Sequence, residues 1–318
     1  MSRMRLWRGF FMIDQKVQIM EIERFAIHDG PGIRSVVFFQ GCPLHCPWCA
    51  NPESQQIKTH LFHSESKCTG CGHCLEHCPK QALYADDHHI KYHENCCIHC
   101  NKCVFGCLQS ALSWVGKSCT IEEILKEIEK DDAYYQESQG GVTLSGGEVF
   151  TQFAALKSLL KELKKRNYHI CIETCGEFET RLLEEVLGNV DLFLFDMKHS
   201  RADKLYQVTG GHLDLIKHNI QTIAQYHPDH IIIRVPVIPG FNDEYEVIEE
   251  IVEFAHQNKI SKVELLPFHN LGKSKYDQMG IPYQYQSVPN MKAADLEKYT
   301  DIFLKYHVEG ILGNKVLK

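Results

Sequence analysis

The sequence predicts an α/β fold in which a parallel sheet or open barrel is interrupted by one cysteine-rich insertion. Apolar runs of strand type alternate with helical segments over most of the chain, a pattern that favours parallel strands joined by right-handed crossovers. Between residues 62 and 116 this alternation gives way to closely spaced cysteines. We therefore expect a main α/β unit over residues 21–61 and 117–318, an insertion over 62–116 and an N-terminal extension over 1–20.

The alternating elements can be assigned in chain order. Catalytic residues are expected at the carboxyl ends of the strands. Thr120 is a suitable N-cap for the first helix, because Glu122 and Glu123 follow it in the first turn. The predicted strands are Val36–Phe39, Gly141–Ser145, His169–Glu173, Val190–Asp196, His230–Val235 and Lys262–Leu266. The predicted helices are Ile121–Gln136, Phe153–Lys165, Thr180–Leu187, Leu213–Tyr226 and Glu244–Gln257.

The composition of the 318-residue chain is ordinary for a globular protein, with 44% hydrophobic and 24% charged residues. A net charge of −7 gives no basic surface for nucleic acid, and no run of eighteen apolar residues predicts a membrane span. Arg3, Arg5 and Arg8 precede a short apolar stretch that ends at Asp14, which argues against a secretory signal. We expect a cytoplasmic, monomeric protein with no nucleic-acid or membrane partner.

The first of three cysteine runs has the spacing Cys42-x3-Cys46-x2-Cys49. Three thiolates can hold a [4Fe–4S] cluster and leave one iron without a protein ligand, and an open metal position is typical of a catalytic site. A zinc site completed by His45 is the alternative. It is the weaker one, because His45 is adjacent to Cys46 and the pair could not easily bind one ion together.

The second and third runs form an internal repeat with one constant offset, at which Cys68 corresponds to Cys97 rather than to Cys96. The repeat matches the bacterial two-cluster ferredoxin pattern, in which the fourth cysteine of each run binds the other cluster. Cys78 is followed by Pro79, as the pattern requires, whereas Cys107 is followed by Leu108. The expected ligands of one cluster are Cys68, Cys71, Cys74 and Cys107, and those of the other are Cys97, Cys100, Cys103 and Cys78.

Cysteine usage also indicates the environment of the protein. Eleven of the fifteen cysteines belong to these three runs, and such spacing suits metals better than disulfides. We therefore expect a reducing, anaerobic compartment. The cysteines outside the pattern are expected to be small buried hydrophobic residues, and they are Cys96, Cys119, Cys171 and Cys175.

Polar residues follow several predicted strands. Gly146 and Gly147 would let a ligand approach the backbone closely, and Glu148 could accept hydrogen bonds from an ammonium group. A glycine-rich turn with a capping acid is the alternative. Acids at later strand ends, Glu173 and Asp196, could equally form salt bridges within a barrel rim. The remaining candidates near strand ends are Lys198, Arg234 and His269.

The first cysteine run, with Trp48 before its last cysteine, resembles that of the radical S-adenosylmethionine (radical SAM) enzymes, which implies a partial (β/α) barrel. In that family the methionyl amine and carboxylate of S-adenosylmethionine bind the open iron, and one electron from the cluster cleaves the sulfonium to give a 5′-deoxyadenosyl radical. The segment at Gly146–Glu148 resembles the family's contact to the methionyl amine, although Val149 replaces the usual proline. The implied cofactor-binding residues are Trp48, Cys49, Ala50, Gly146, Gly147, Glu148, Glu173, Asp196, Met197, Lys198, Arg234 and His269. A monovalent cation held by Glu173 and Asp196 is a further candidate.

Two flanking segments, Ile27–Arg34 and Asn51–Ser54, resemble more closely the activating enzymes of glycyl radical enzymes. The likeness extends over nearly the whole chain from about Glu21. It implies that the substrate is a partner glycyl radical enzyme, which loses one hydrogen atom from a glycine Cα and gains a glycyl radical. The other products are 5′-deoxyadenosine and methionine. The two-cluster insertion would relay electrons from reduced flavodoxin or ferredoxin, and no side chain need act as a general base.

Two alternatives remain at this stage. The chain could be a radical SAM enzyme that acts on a small molecule, or an electron-transfer subunit whose third cluster extends a ferredoxin wire. In an electron-transfer subunit Gly147, Glu148 and Lys198 would have no cofactor to contact. Cleavage of S-adenosylmethionine by the reduced protein distinguishes the two enzyme hypotheses from the electron carrier.

Overall fold

The computed structural model describes residues 15–313 and 315–317. Its strands are β1 Lys16–Ala26, β2 Arg34–Phe39, β3 His60–His63, β4 Leu83–Asp86, β5 His89–Tyr92, β6 Leu112–Val115, β7 Lys117–Thr120, β8 Gly141–Gly146, β9 His169–Thr174, β10 Leu192–Asp196, β11 Ile231–Val237, β12 Lys262–Pro267, β13 Glu309–Leu312 and β14 Lys315–Val316. Its α-helices are α1 His73–Glu76, α2 Lys102–Phe105, α3 Ile121–Ile128, α4 Asp132–Ser138, α5 Phe153–Lys165, α6 Thr180–Glu184, α7 Ala202–Thr209, α8 Leu213–Tyr226, α9 Tyr245–Gln257, α10 Lys273–Met279 and α11 Thr300–Tyr306.

Ten strands form the main sheet, in the order β14-β13-β12-β11-β10-β9-β8-β2-β1-β7. Every pairing from β2 to β13 is parallel, and β1, β7 and β14 add antiparallel strands at the two ends. The prediction of a parallel sheet with helical crossovers is therefore confirmed. Because parallel strands end at one edge of a sheet, the loops after β2, β8, β9, β10, β11 and β12 meet there.

The helices cover the sheet with apolar faces of helical period. In α5 the buried residues recur three or four positions apart, and Leu156, Leu159 and Leu163 are fully buried. The strand side chains they meet belong to the same hydrophobic core, which contains Leu144 and Ile172. Burial on both sides explains why these strands are continuous apolar runs in the sequence.

The predicted cap of α3 is confirmed, but the helix is shorter than expected. Thr120 Oγ1 accepts a hydrogen bond from Glu123 N at 3.2 Å, and the Glu123 carboxylate accepts one from Thr120 N at 2.7 Å. This reciprocal capping box satisfies two free amide groups of the first turn. The α-helix ends at Ile128, and a 3₁₀ turn leads into α4, where the sequence predicted one continuous helix.

The N-terminal strand is the largest element that the sequence prediction missed. β1 starts at Lys16, before the expected boundary at Glu21, and it pairs with both β2 and β7. Its fully buried side chains, Val17 and Ile19, alternate with polar residues, so the strand resembles a mixed tail in sequence. Of the predicted extension, residues 1–14 lie outside the described residues.

The insertion begins and ends on a small antiparallel sheet, in which β3 pairs with β6 and His60 faces Val115. β4 and β5 form a separate antiparallel hairpin. The sequence repeat is a structural repeat as well, because the offset that relates Cys68 to Cys97 also relates the start of β3 to that of β5, α1 to α2, and β4 to β6. No helix in the described ranges is long and apolar enough to span a membrane.

Candidate functional site

The loop that carries the first cysteine run leaves β2 and is fixed by backbone hydrogen bonds. Gly41 N donates to Ser54 O at 2.6 Å, and Gly41 O accepts from Glu148 N at the same distance. Gly41 has φ +95°, and a Cβ there would lie 2.7 Å from side-chain atoms of Ile57 and Thr151. A side chain at this position is therefore excluded by both the backbone conformation and the space.

A cavity of about 290 Å³ lies at the carboxyl ends of the parallel strands, next to this loop. The indole of Trp48 faces it and packs against Phe241 with ring centroids 4.6 Å apart. The cavity contains ten of the twelve predicted cofactor-binding residues and all three cysteines of the run. These lining residues are Cys42, Cys46, Trp48, Cys49, Ala50, Gly146, Gly147, Glu173, Asp196, Lys198, Arg234 and His269.

Two glycines, Gly146 as the last residue of β8 and Gly147 directly after it, let the cysteine loop lie against the sheet. A Cβ on Gly146 would lie 2.3 Å from Phe39 O, and one on Gly147 would lie 2.3 Å from Gly41 O. Any larger residue would push the loop away from the strand end. These glycines are therefore needed for the wall of the cavity, whatever else they contact.

Glu148 and Met197 do not line the cavity, and their part in cofactor binding stays a prediction. The Glu148 carboxylate is fully buried and accepts hydrogen bonds from Thr174 Oγ1 at 2.7 Å and Cys175 N at 2.9 Å. Met197 is fully buried in the main core. Side chains alternate along an extended chain, so Met197 points away from the side on which Asp196 and Lys198 reach the cavity.

An ion-paired cluster forms the floor of the cavity. Arg234 Nη1 donates to Glu173 Oε1 at 2.6 Å, and Arg234 Nε lies 3.2 Å from Glu264 Oε2. Burial raises the pKa of Glu173, although Arg234 opposes the shift. Burial alone would lower the pKa of Arg234, but the surrounding carboxylates raise it. The guanidinium is therefore a permanent positive charge that stabilises two half-buried carboxylates.

A second pair lies beside the first, since Lys198 Nζ donates to Asp196 Oδ2 at 2.6 Å and its side chain is only 11% exposed. Burial opposes ionisation of Lys198, but Asp196 raises its pKa overall. Asp196 Oδ1 is buried without a hydrogen-bond partner within residues 15–313 and 315–317, which leaves an acceptor free at the cavity. Glu173 and Asp196 thus each have a basic partner already, and the monovalent cation stays a prediction.

Cys175 is the site residue that sequence analysis missed. It lines the cavity, and its thiol lies 3.0 Å from Glu148 Oε2. A hydrogen bond from Cys175 lowers the pKa of the Cys42 thiol, and burial raises that of Cys49 to about 11. Its position directly after strand β9 was the available signal. Cys119 and Cys171 are buried as expected, whereas Cys96 is exposed.

The eight cysteines of the repeat fall into two further cavities. The larger measures about 880 Å³. Cys68, Cys71, Cys74 and Cys107 line the larger cavity. Cys97, Cys100, Cys103 and Cys78 line the smaller one. This is the grouping that the repeat predicts, with the fourth cysteine of each run exchanged, and four thiols per cavity fit a four-iron cluster.

Comparisons with known proteins agree with these features. A profile of the radical SAM superfamily matches residues 90–255, and one of a 4Fe-4S single cluster domain matches residues 28–83. The 4-hydroxyphenylacetate decarboxylase activating enzyme of Clostridioides difficile (strain 630) is 36% identical over 93% of this chain and 96% of its own. The trans-4-hydroxy-L-proline dehydratase activating enzyme of C. difficile is 38% identical over 90% of this chain and 95% of its own length. The choline trimethylamine-lyase activating enzyme of Oleidesulfovibrio alaskensis is 37% identical over 93% of this chain and 97% of its own length.

Replacing Arg234 by Met should lower the free energy of unfolding by up to about 3 kcal/mol at about pH 8, because two half-buried carboxylates lose their counter-charge. Below the ordinary Glu pKa of about 4.3 the carboxyls are protonated in both states, so the loss should shrink as pH falls. Urea unfolding at several pH values measures both effects. Lys157→Met, at an exposed pair with Glu185, is the control and should change little. An equal loss at all pH values would show that packing, not charge, is responsible.

Proposed function

The chain belongs to the radical SAM superfamily and, within it, to the activating enzymes of glycyl radical enzymes, and from this membership we propose that it generates the glycyl radical of a partner enzyme. The observation that carries the proposal is the single cavity shared by Cys42, Cys46 and Cys49 and the polar strand ends. Three thiols beside a polar cavity suit a cluster with one open iron and a chelating ligand.

When bound, the cluster and S-adenosylmethionine supply a one-electron cleavage of the sulfonium, so that methionine leaves and the 5′-carbon takes one hydrogen atom from a glycine Cα of the partner. The protein's own residues bind, orient and exclude water. Lys198 and the free Asp196 Oδ1 offer a donor and an acceptor for the methionyl carboxylate and amine. Gly147 has no side chain, so its backbone stays open to the methionyl group of S-adenosylmethionine. Trp48 forms an apolar wall of the cavity, and His269 forms a polar one.

We infer that the open sheet curves as a partial barrel around this cavity, since residues at the ends of six neighbouring strands line it. We also propose that the insertion holds two [4Fe–4S] clusters and relays electrons from reduced flavodoxin or ferredoxin. The two groups of four thiols support this part of the proposal. Oxygen-sensitive clusters of this kind fit the cytoplasm of an anaerobic cell.

Changing Cys42, Cys46 and Cys49 together to Ala should remove about a third of roughly twelve irons per chain and abolish 5′-deoxyadenosine formation. The reason is that only this cluster would have an open iron. Iron content and chromatography of the reduced, anaerobically reconstituted protein measure the two effects. Cys119→Ala, a buried cysteine outside the three runs, is the control. Retained cleavage in the triple variant would mean that the catalytic cluster lies elsewhere.

Cys71→Ala and Cys100→Ala each remove one thiol from a different cavity of the insertion. If the insertion relays electrons, turnover with a protein donor should fall at least tenfold, whereas a strong chemical reductant should restore much of it. Cys96→Ala, an exposed cysteine that lines neither cavity, should behave as the unmodified protein. Undiminished turnover with both donors would make the insertion a docking unit instead.

The substrate can be tested with a partner glycyl radical enzyme deuterated at glycine Cα. Deuterium should appear in the 5′-deoxyadenosine, and the partner should gain an electron paramagnetic resonance signal split by one α-hydrogen when unlabelled. Glycine has no side chain to block approach to its Cα. A partner with Ala at that glycine is the control. Unlabelled 5′-deoxyadenosine made with the cognate partner, whose glycine stays intact, would favour a small-molecule substrate.

A further inference from the structure

Buried ring nitrogens that have no hydrogen-bond partner among the described residues lie on the walls of both thiol cavities of the insertion. The His63 side chain is only 1% exposed, and neither ring nitrogen has a hydrogen-bond partner in the part of the chain that the structure describes. His63 lines the larger cavity together with Cys68, Cys71, Cys74 and Cys107. Trp114 Nε1 is likewise buried without a partner, and Trp114 lines the smaller cavity.

The small sheet of the insertion explains how one element serves both cavities. β3 and β6 are antiparallel, with His63 opposite Leu112 and Leu61 opposite Trp114. Residues two apart on a strand share a face, so His63 and Trp114 lie diagonally on the same face of this sheet. From that one face, the His63 ring reaches the larger cavity and the Trp114 ring reaches the smaller one.

The repeat is broken at these two positions. The counterpart of His63 in the second half of the repeat is Tyr92, whose hydroxyl already donates to Thr59 O at 2.6 Å. The counterpart of Trp114 in the first half is Ala85, which has no side-chain donor and lines the larger cavity. Among the described residues, the larger cavity thus has the free imidazole of His63 beside that of His89, whose Nδ1 also lacks a partner, and the smaller cavity has the free indole of Trp114.

Neighbouring side chains do not satisfy these donors. His89 packs edge-on against His63 with ring centroids 5.6 Å apart, and no hydrogen bond joins the two rings. Burial lowers the pKa of His63, so the ring is neutral and offers one N–H. A buried N–H without an acceptor is costly, which indicates that an acceptor occupies each cavity.

We propose that His63 and Trp114 each donate a hydrogen bond to a sulfur of the iron–sulfur cluster in their own cavity, and that these bonds raise the reduction potentials of the two clusters. This inference rests on the two-cluster insertion proposed above. A donor stabilises the more negative reduced cluster more than the oxidised one, so each bond raises the potential of its cluster. His63 and Trp114 are positioning residues, since they act through the clusters.

The test is a redox titration followed by electron paramagnetic resonance, on protein whose iron content shows that both insertion clusters are present. His63→Phe removes the donor and should lower the midpoint potential of one cluster by about 59 mV, a tenfold change for a one-electron couple. His63→Gln keeps an N–H and should restore much of the loss. Trp114→Phe should lower the potential of the other cluster. His60→Phe, on the same strand but on neither cavity wall, is the control.

The outcomes separate this inference from the function it rests on. Unchanged potentials in His63→Phe and Trp114→Phe, with full iron, would overturn the hydrogen bonds and leave the two-cluster insertion intact. Equal shifts in His63→Phe and His63→Gln would also overturn them, because packing would then be the cause. Unmodified protein without two titrating insertion clusters would overturn both proposals. A shift confined to one cluster in each variant, reversed by Gln, supports the inference.

Discussion

The catalytic end of the molecule depends on the way Glu148 connects three neighbouring strands. Its backbone N–H donates to Gly41 O in the loop after β2, and its carboxylate accepts hydrogen bonds from Thr174 and Cys175 at the end of β9. Glu148 itself follows β8. Burial raises the pKa of this carboxyl, and the donors that surround it oppose the shift. One buried acid thus fixes the cysteine loop relative to the sheet, and the glycines before it allow the close approach.

The same arrangement explains why the site could be predicted only in part from sequence. The strand ends were predictable because apolar runs are local patterns, and ten of the twelve expected contacts do lie on one cavity. The role of Glu148 was not predictable, because the residues on β9 that donate hydrogen bonds to it are distant in the chain. Met197 lies off the cavity wall because side chains alternate in direction along an extended chain, which its place between Asp196 and Lys198 did not reveal.

β1 shows a related limit of sequence reasoning. Lys16–Ala26 mixes charged and apolar residues, and its burial becomes clear only from its pairing with β2 and β7. The cysteine repeat was easier to interpret, because identical spacing at one offset indicates a duplicated fold without any knowledge of contacts. The repeat could not reveal where the two halves differ in function. His63 and Trp114 became informative only when their ring nitrogens were seen to lack partners.

The pairing of His60 with Val115 has an evolutionary consequence. Paired residues in an antiparallel sheet lie only about 5 Å apart, so the chain leaves the main unit and returns to it at almost one point. Excising everything between them would need only a short turn and would leave the strand order of the main sheet unchanged. The insertion can therefore be gained or lost without a change in the sheet that carries the first cysteine run.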